Sequence, residues 1–384
     1  MIRKRLSNPI RSLAETGKLG GVLLILATAI SLLFSNISTQ EIYTGFWSSH
    51  FFVSGVEFSL LHCVNDGLMV VFFFLVGMEI KRELLVGQLS SPKKAMLPIF
   101  AAVGGMLFPG IIYALLNIND TQLLKGWAIP TATDIAFSLG ILSMLGNKVP
   151  FALKVFLTAL AIIDDLGAII VIALFYTEAE NFHPTYLLAA FGLLTILYFF
   201  NRKKIFNSYL WLLAGIVIWF CILSSGVHAT VAGVLVALTI PLEKIKSLEH
   251  AFHKPVNYFI LPIFALANTA IALSGENANG VVTSLGIGII VGLFIGKPLG
   301  ITAATYFAVK QKWCVLPEKI NFKLILGAGF TAGVGFTMSV FIATLSFSDE
   351  LHLAVAKIAI IIASLLSGIT GIVYLNNELS RKQL

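Results

Sequence analysis

The sequence predicts an all-α polytopic membrane protein, one domain over 1–384 with twelve transmembrane helices. Three observations carry this. Of 384 residues, 58% are hydrophobic and only 12% are charged, against about 25% charged in a soluble protein. Apolar runs of about 20 residues, the length a helix needs to cross hydrocarbon, recur along the whole chain. No long polar segment marks a soluble domain, and barrel strands would need only about 10 alternating residues each.

The runs, in order, are 20–36, 63–80, 95–117, 123–142, 150–176, 184–201, 207–223, 226–242, 255–274, 284–309, 322–345 and 353–376. The second is the least clean, with Asn65, Asp66 and Glu79 at its ends. The seventh and eighth are separated by little more than Ser224 and Ser225, so two short helices must share a tight turn. With twelve spans, 23 of the 26 Lys and Arg fall on one side, the exceptions being Lys125, Lys297 and Lys357. Basic residues mark the cytoplasmic side, so both termini are expected there. The formal net charge of +7 is this bias and not a nucleic-acid surface. A signal peptide is disfavoured, because no small-residue cleavage site follows the first run and eleven more spans do. Cys63, Cys221 and Cys314 are scattered and suggest neither a metal site nor a disulfide framework.

The fifth run contains AIIDDLGAII (161–170). An ionised residue at a helix centre costs roughly 2.5–3.5 kcal/mol on the insertion scale, so Asp164 and Asp165 together cost about 5–7. The fifteen Leu, Ile, Val and Phe of 150–176 return about 5–9 kcal/mol. The helix inserts, with most of its margin consumed. A packing ion pair is one reading; an ion or proton path is the default for intramembrane acids. Adjacent residues point about 100° apart on a helix, so one acid can face a cavity while the other turns to a neighbour.

Other oddities lie at the same depth. In the fourth run Pro130 cannot donate to the ladder and disfavours helix before it. Thr131, Thr133 and Asp134 are good N-cap types, so two half-helices broken near 130–134 are expected, a kinked continuous helix being the alternative. In the eleventh run Gly327, Gly329, Gly333 and Gly335 make a second break plausible, with close helix packing as the alternative. Lys297 sits near the centre of the tenth run, too deep to snorkel easily. Gly288, Gly292, Gly296 and Gly300 beside it form a smooth face. The broken runs are fourth and eleventh and so cross in opposite directions. Spans 3–5 and 10–12 then form an inverted-topology repeat with two crossing interrupted helices and a midplane site built from half-helix ends. Those ends bring uncompensated dipoles, for which Asp134 and Lys297 are the available acid and base.

At this point the chain resembles the NhaA family of bacterial sodium/proton antiporters over nearly its full length. The resemblance rests on FLVGMEIKREL (74–84), GWAIPTATDIAFSLG (126–140), the stretch from Ala159 to Ile170, SGVHATVAGV (225–234), LEHAFH (248–253), IGKPLGI (295–301) and GFTMSVFIA (335–343). Inverted repeats are a known property of that family, so their agreement adds no independent support. The resemblance implies a bacterial inner-membrane antiporter, with Asp165 as main cation ligand and Asp164 shared between binding and proton carriage. It pairs Asp164 with Lys297 in one state, places Thr133 near the Na+ and has Asp134 balance helix dipoles. It puts Pro130, Gly333 and Gly335 in the unwound segments. It links Glu79, Arg82, Glu83, Glu249, His250 and His253 to pH activation at the cytoplasmic side, and His228 to pH response at the external end. It implies a homodimer formed partly through an external β-hairpin, for which FFVSGVEFSL (51–60) with a Ser54–Gly55 turn is the candidate, a plain interfacial loop being the alternative.

The chemistry agrees. Burial and a neighbouring like charge raise a carboxylate's proton affinity, and a small hard cation prefers oxygen ligands. Sodium or lithium and protons then compete for the same oxygens, and exchange of two protons for one Na+ is electrogenic. No cofactor is implied, and the partners are membrane lipid and a second copy. Histidine titrates in the physiological range, which gives the cytoplasmic cluster a physical basis as a sensor; a solvated helix end is the bland reading. Asp66 reads equally as a path-lining acid and as a capped helix end. IGKPLG lacks the Ser or Thr and the preceding strand of a phosphate loop, so an ATPase is disfavoured, and no constellation suits an enzyme. A sodium-coupled symporter of an organic solute is the alternative, although its cavity should carry more polar and aromatic residues.

Overall fold

A computed structural model describes residues 18–53, 56–177 and 182–381. Its elements in chain order are α1 (Lys18–Phe34), α2 (Gln40–Ser48), β1 (His50–Val53), β2 (Val56–Ser59), α3 (Leu60–Leu85), α4 (Pro92–Leu116), α5 (Thr121–Thr131) and α6 (Ile135–Met144). There follow α7 (Phe151–Phe175), α8 (Pro184–Arg202), α9 (Ser208–Leu223), α10 (Val231–Thr239), α11 (Leu242–Pro255) and α12 (Leu261–Asn268). The last are α13 (Gly275–Gly280), α14 (Ser284–Lys310), α15 (Phe322–Ala332), α16 (Phe336–Ser346) and α17 (Glu350–Arg381). Six of these helices are long and apolar enough to cross a membrane, or up to eight when α5–α6 and α15–α16 each count as one bent span. Large apolar side chains such as Leu174, Leu188, Leu213 and Ile369 point outward, each more than half exposed. A water-facing surface would not carry them in such numbers, whereas lipid accepts them.

Every apolar run of the sequence contains helix, with three local differences. Within 226–242, α10 covers only the nine residues Val231–Thr239, and Leu242 already opens α11. The turn before α10 runs past Ser224 and Ser225 through Gly226, whose φ of 84° is the left-handed region open to glycine. The run at 255–274 begins earlier and ends earlier. Pro255 does not start that helix; it is the last residue of α11, and a π turn at Val256–Ile260 joins α11 to α12. A second π turn, Cys63–Leu68, opens the start of α3 around Asn65 and Asp66. The hairpin strands are present and antiparallel, pairing His50 with Ser59 and Val53 with Val56; the Ser54–Gly55 turn lies outside the described residues.

The chain divides into two compact units. Of the described residues, the first comprises 18–33, 91–164 and 271–381. Its core is built from Leu97, Leu153, Phe156, Ile301, Leu324 and Leu375, all buried. Here α4 and α14 pack backbone to backbone: a Cβ on Gly104 would collide with the Gly300 carbonyl, and the reverse also holds. Glycine at both positions is what permits the approach. The second unit comprises 34–90 and 165–270. In it α3 lies against α10, and Lys81 Nζ caps the latter's end by donating to the carbonyls of Leu238 (2.7 Å) and Ile240 (2.5 Å), a cation meeting unpaired C-terminal carbonyls.

Candidate functional site

The first unit contains two helices interrupted where the sequence carries Pro130 and Gly333–Gly335. The α5–α6 pair bends by 41° and the α15–α16 pair by 51°. Pro130 itself stays helical, inside a 3-10 stretch from Lys125 to Thr131. The break follows it, at residues 132–134, and Asp134 is the N-cap of α6, its Oδ1 accepting from the Phe137 amide at 2.9 Å. The other oxygen crosses to the second break, where it accepts from the Thr337 amide (3.2 Å) and hydroxyl (2.5 Å). The Asp134 amide donates to the Val334 carbonyl at 2.8 Å. One short side chain thus serves the N-termini of two half-helices, where positive dipole ends favour an anion. Gly333 has an ordinary φ; its lack of side chain matters for space, since a Cβ would stand 2.5 Å from the Leu293 carbonyl oxygen.

Asp164 and Lys297 meet beside these breaks. Asp164 Oδ2 accepts from Thr133 Oγ1 at 2.7 Å and faces Lys297 Nζ at 3.0 Å, with both charged side chains fully buried. Lys297 also donates to the Thr131 carbonyl, and Thr133 Oγ1 lies 3.0 Å from the Ala332 carbonyl, so its single proton is shared between that oxygen and Asp164 Oδ2. A π turn, Gly292–Gly296, immediately precedes Lys297 in α14; widened turns of this kind occur at functional positions. Asp164 Oδ1 is buried with no hydrogen-bond partner among the described residues. A desolvated carboxylate oxygen left unpaired is costly, and it is the type of ligand a hard cation takes. Asp165 follows on α7, is also buried, and belongs to the second unit.

The second unit holds another charge cluster, on α3 and α11. Arg82 Nε lies 3.0 Å from both oxygens of Glu249, and its guanidinium reaches Glu83 Oε1 at 2.5 Å. Glu83 Oε2 accepts from the Gln88 amide at 2.8 Å. His253 Nε2 lies 3.2 Å from Glu79 Oε1. His250 lines an open depression with Glu243, Lys246, Ser247, Glu249 and His253. The hydrogen bond to Glu79 holds His253 above the ordinary imidazole range, against the opposing effect of burial. Burial pushes the Glu249 carboxyl up, with the Arg82 bond working against it. Glu79, Arg82, Glu83, Glu249 and His253 therefore lie together on α3 and α11, with His250 beside them in the depression. His228 is with a different set, its Nε2 at 3.4 Å from Asp66 Oδ1 and its Nδ1 at 3.0 Å from Thr230 Oγ1.

Several participants escape sequence reasoning. Thr337 as a partner of Asp134 is 203 positions away, and no spacing rule links them. His62, whose Nε2 faces Asp66 Oδ2 at 3.1 Å, is visible only as an i,i+4 pair. Asp66 stands between two imidazoles, those of His62 and His228.

The family model described as Na+/H+ antiporter 1 matches residues 11–375. Among curated relatives, Na(+)/H(+) antiporter NhaA 1 of Flavobacterium johnsoniae is 48% identical over 377 residues, covering 97% of both chains. The Cronobacter sakazakii Na(+)/H(+) antiporter NhaA is 48% identical over 94% of this chain and 96% of its own. That of Vibrio cholerae is 44% identical over 98% of this chain and its own full length.

Proposed function

We propose, from the premise that this chain belongs to the Na+/H+ antiporter 1 family and is a sodium/proton antiporter rather than an enzyme, that exchange takes place at the aspartate pair of α7. Membership places it as a multi-pass protein of the bacterial inner membrane. In this reading Na+, or Li+, is the cargo. It is held by Asp164 Oδ1, the Asp165 carboxylate and the Thr133 hydroxyl. The observation that carries the reading is the unpaired buried oxygen of Asp164, whose other oxygen is occupied by Thr133 and Lys297.

In this reading Asp165 carries one of the exchanged protons, and either Asp164 or Lys297 carries the second. When the cation enters, Asp165 loses one proton and the second leaves the Asp164–Lys297 pair, so that two protons depart for one Na+ bound. When protons return, the ion pair re-forms and the cation leaves. Two protons against one Na+ makes the cycle electrogenic, and transport insensitive to imposed voltage would refute that stoichiometry. Alternating access follows from rocking of two inverted repeats, spans 3–5 against 10–12, within a twelve-span chain whose termini are both cytoplasmic. A tag on either terminus that is cleaved by external protease in intact cells would refute the orientation.

The α3–α11 cluster acts as the pH-responsive element, with His228 in a second one. The β1–β2 hairpin joins two copies into a homodimer embedded in lipid; a chain lacking 50–59 that still migrates as a dimer would count against it. The decisive test of the whole reading uses everted vesicles with an acid interior. Adding Na+ or Li+ should release protons, and Asp165→Asn should abolish the release. Retained exchange in that variant overturns the assignment of the site.

A further inference from the structure

Two broken helices in a low-dielectric interior leave carbonyls without their usual amide donors. Four residues beyond each N-cap stands a serine: Ser138 after Asp134 and Ser339 after Gly335. Ser138 Oγ donates to the Thr331 carbonyl of α15, and Ser339 Oγ donates to the Ile129 carbonyl of α5, each at 2.8 Å. Both residues are fully buried. The second half of each broken helix therefore ties off the first half of the other.

Among the described residues many serine and threonine hydroxyls bond locally instead, the crossing being shared with Thr133 and Thr337 at the same two breaks. Thr28, Thr158, Thr195, Thr302 and Ser346 each bond back to the carbonyl four residues earlier in their own helix, the common local habit. Ser138 and Ser339 depart from it in a reciprocal way. A hydroxyl has one proton to donate, so neither can also donate to Asp164. Their effect on it is indirect. The stretches they clamp include Thr131, whose carbonyl accepts from Lys297, and Ala332, whose carbonyl accepts from Thr133. Lys297 and Thr133 are the two groups that fix Asp164 Oδ2. The direction in which Asp164 Oδ1 points is thereby set by how the two breaks are registered on each other.

We infer that Ser138 and Ser339 are positioning residues of the antiport reaction. They form a reciprocal clasp that sets the apparent affinity for Na+ and the discrimination between Na+ and Li+. The inference rests on the assignment of the cation to Asp164 and Asp165.

The test measures Na+- and Li+-dependent proton release in everted vesicles carrying the full chain. Ser138→Ala and Ser339→Ala should each raise the apparent KM for Na+ about tenfold, the factor that loss of one well-placed hydrogen bond converts to. Each should leave the maximal rate within about twofold and change the Na+/Li+ KM ratio, since the two ions differ in the oxygen spacing they accept. Ser138→Thr and Ser339→Thr, which keep the hydroxyl, should restore both readings. Should an alanine variant not accumulate, Ser→Cys at the same position, similar in shape and a weaker donor, should show the same rise in KM. Unchanged KM and ratio in variants present at normal amounts would overturn the inference. So would a fall in maximal rate with KM unmoved, the mark of a merely structural serine. Asp165→Asn measured alongside separates the two claims: exchange surviving there removes the site, whereas insensitive serines beside an inactive Asp165→Asn remove only the clasp.

Discussion

The two charge clusters, one in each unit, use similar groups under opposite conditions. Asp164 and Lys297 are shut off from water, and one carboxylate oxygen is left unpaired. Around Arg82, by contrast, solvent has access: Arg82 is 35% exposed and His253 48%. Glu249 accepts with both oxygens there and Glu83 with one from Arg82 and one from Gln88. A charge stranded in the first place has no water to turn to, so the pair must change partners to change state. In the second, water reaches Arg82 and His253 while Glu83 and Glu249 are buried beside them, so a lost partner costs less there than at Asp164. Burial thus separates the site proposed to exchange a cation for protons from the one proposed to sense pH.

That contrast can be broken at four points. The largest expected effect is at Lys297→Ala, which strands Asp164 in the interior and should cost about 3–5 kcal/mol, read as a lowered thermal midpoint in detergent. Adding Asp164→Asn should recover most of that loss; a single variant as stable as the parent would end the comparison. Next comes Asp134→Ala, which removes the α6 cap, worth about 1 kcal/mol, and leaves Thr337 without its acceptor, for a total of about 1–3 kcal/mol. Asp134→Asn should lose less, because its amide oxygen can still cap α6. Third, Arg82→Ala should cost about 1 kcal/mol or less, because the guanidinium is partly solvated and water screens what remains. It should nevertheless shift the pH of half-maximal antiport, and an unshifted profile would sink the sensing role.

The smallest effect on stability is expected at Glu79→Gln. His253 is raised above its ordinary 6.5 by the Glu79 bond. Its stabilising contribution is therefore whole below about 6.5 and is lost as pH rises through the raised value. Glu249, raised by burial above 4.5, also binds its proton more tightly in the folded chain, so that contribution too fades as pH rises. Both groups release protons on alkalinisation. Removing the Glu79 carboxylate should bring His253 back toward 6.5 and move the antiport profile to lower pH. A move to higher pH would contradict the pairing.

Much of this was legible because a bilayer makes composition diagnostic. Runs of apolar residues as long as 150–176 have few alternatives to helix in lipid, and acids or a lysine inside them are conspicuous by cost alone. Pro130 and the glycines around Gly333 mark the breaks for the same local reasons that operate in any helix. Less visible was where regular structure yields. The π turns at Cys63–Leu68, Val256–Ile260 and Gly292–Gly296 have no composition signature. Nor does the persistence of 3-10 structure through Pro130. Each depends on what the neighbouring helix allows.

By itself, the sequence determined the medium, the helical class, the two break points and the presence of Asp134, Asp164, Asp165 and Lys297 in apolar surroundings. These follow from transfer cost and local backbone chemistry, which act over a few residues. Only the tertiary structure decided which partners those groups take. It sends Asp134 to Thr337, Thr133 to both Asp164 and the Ala332 carbonyl, and the hydroxyls of Ser138 and Ser339 to opposite breaks. Except for Thr133 with Asp164, these contacts join groups about 200 positions apart in the chain. Their formation depends on hydrogen-bond geometry at the crossing, where each buried polar group must find a partner that no local pattern specifies.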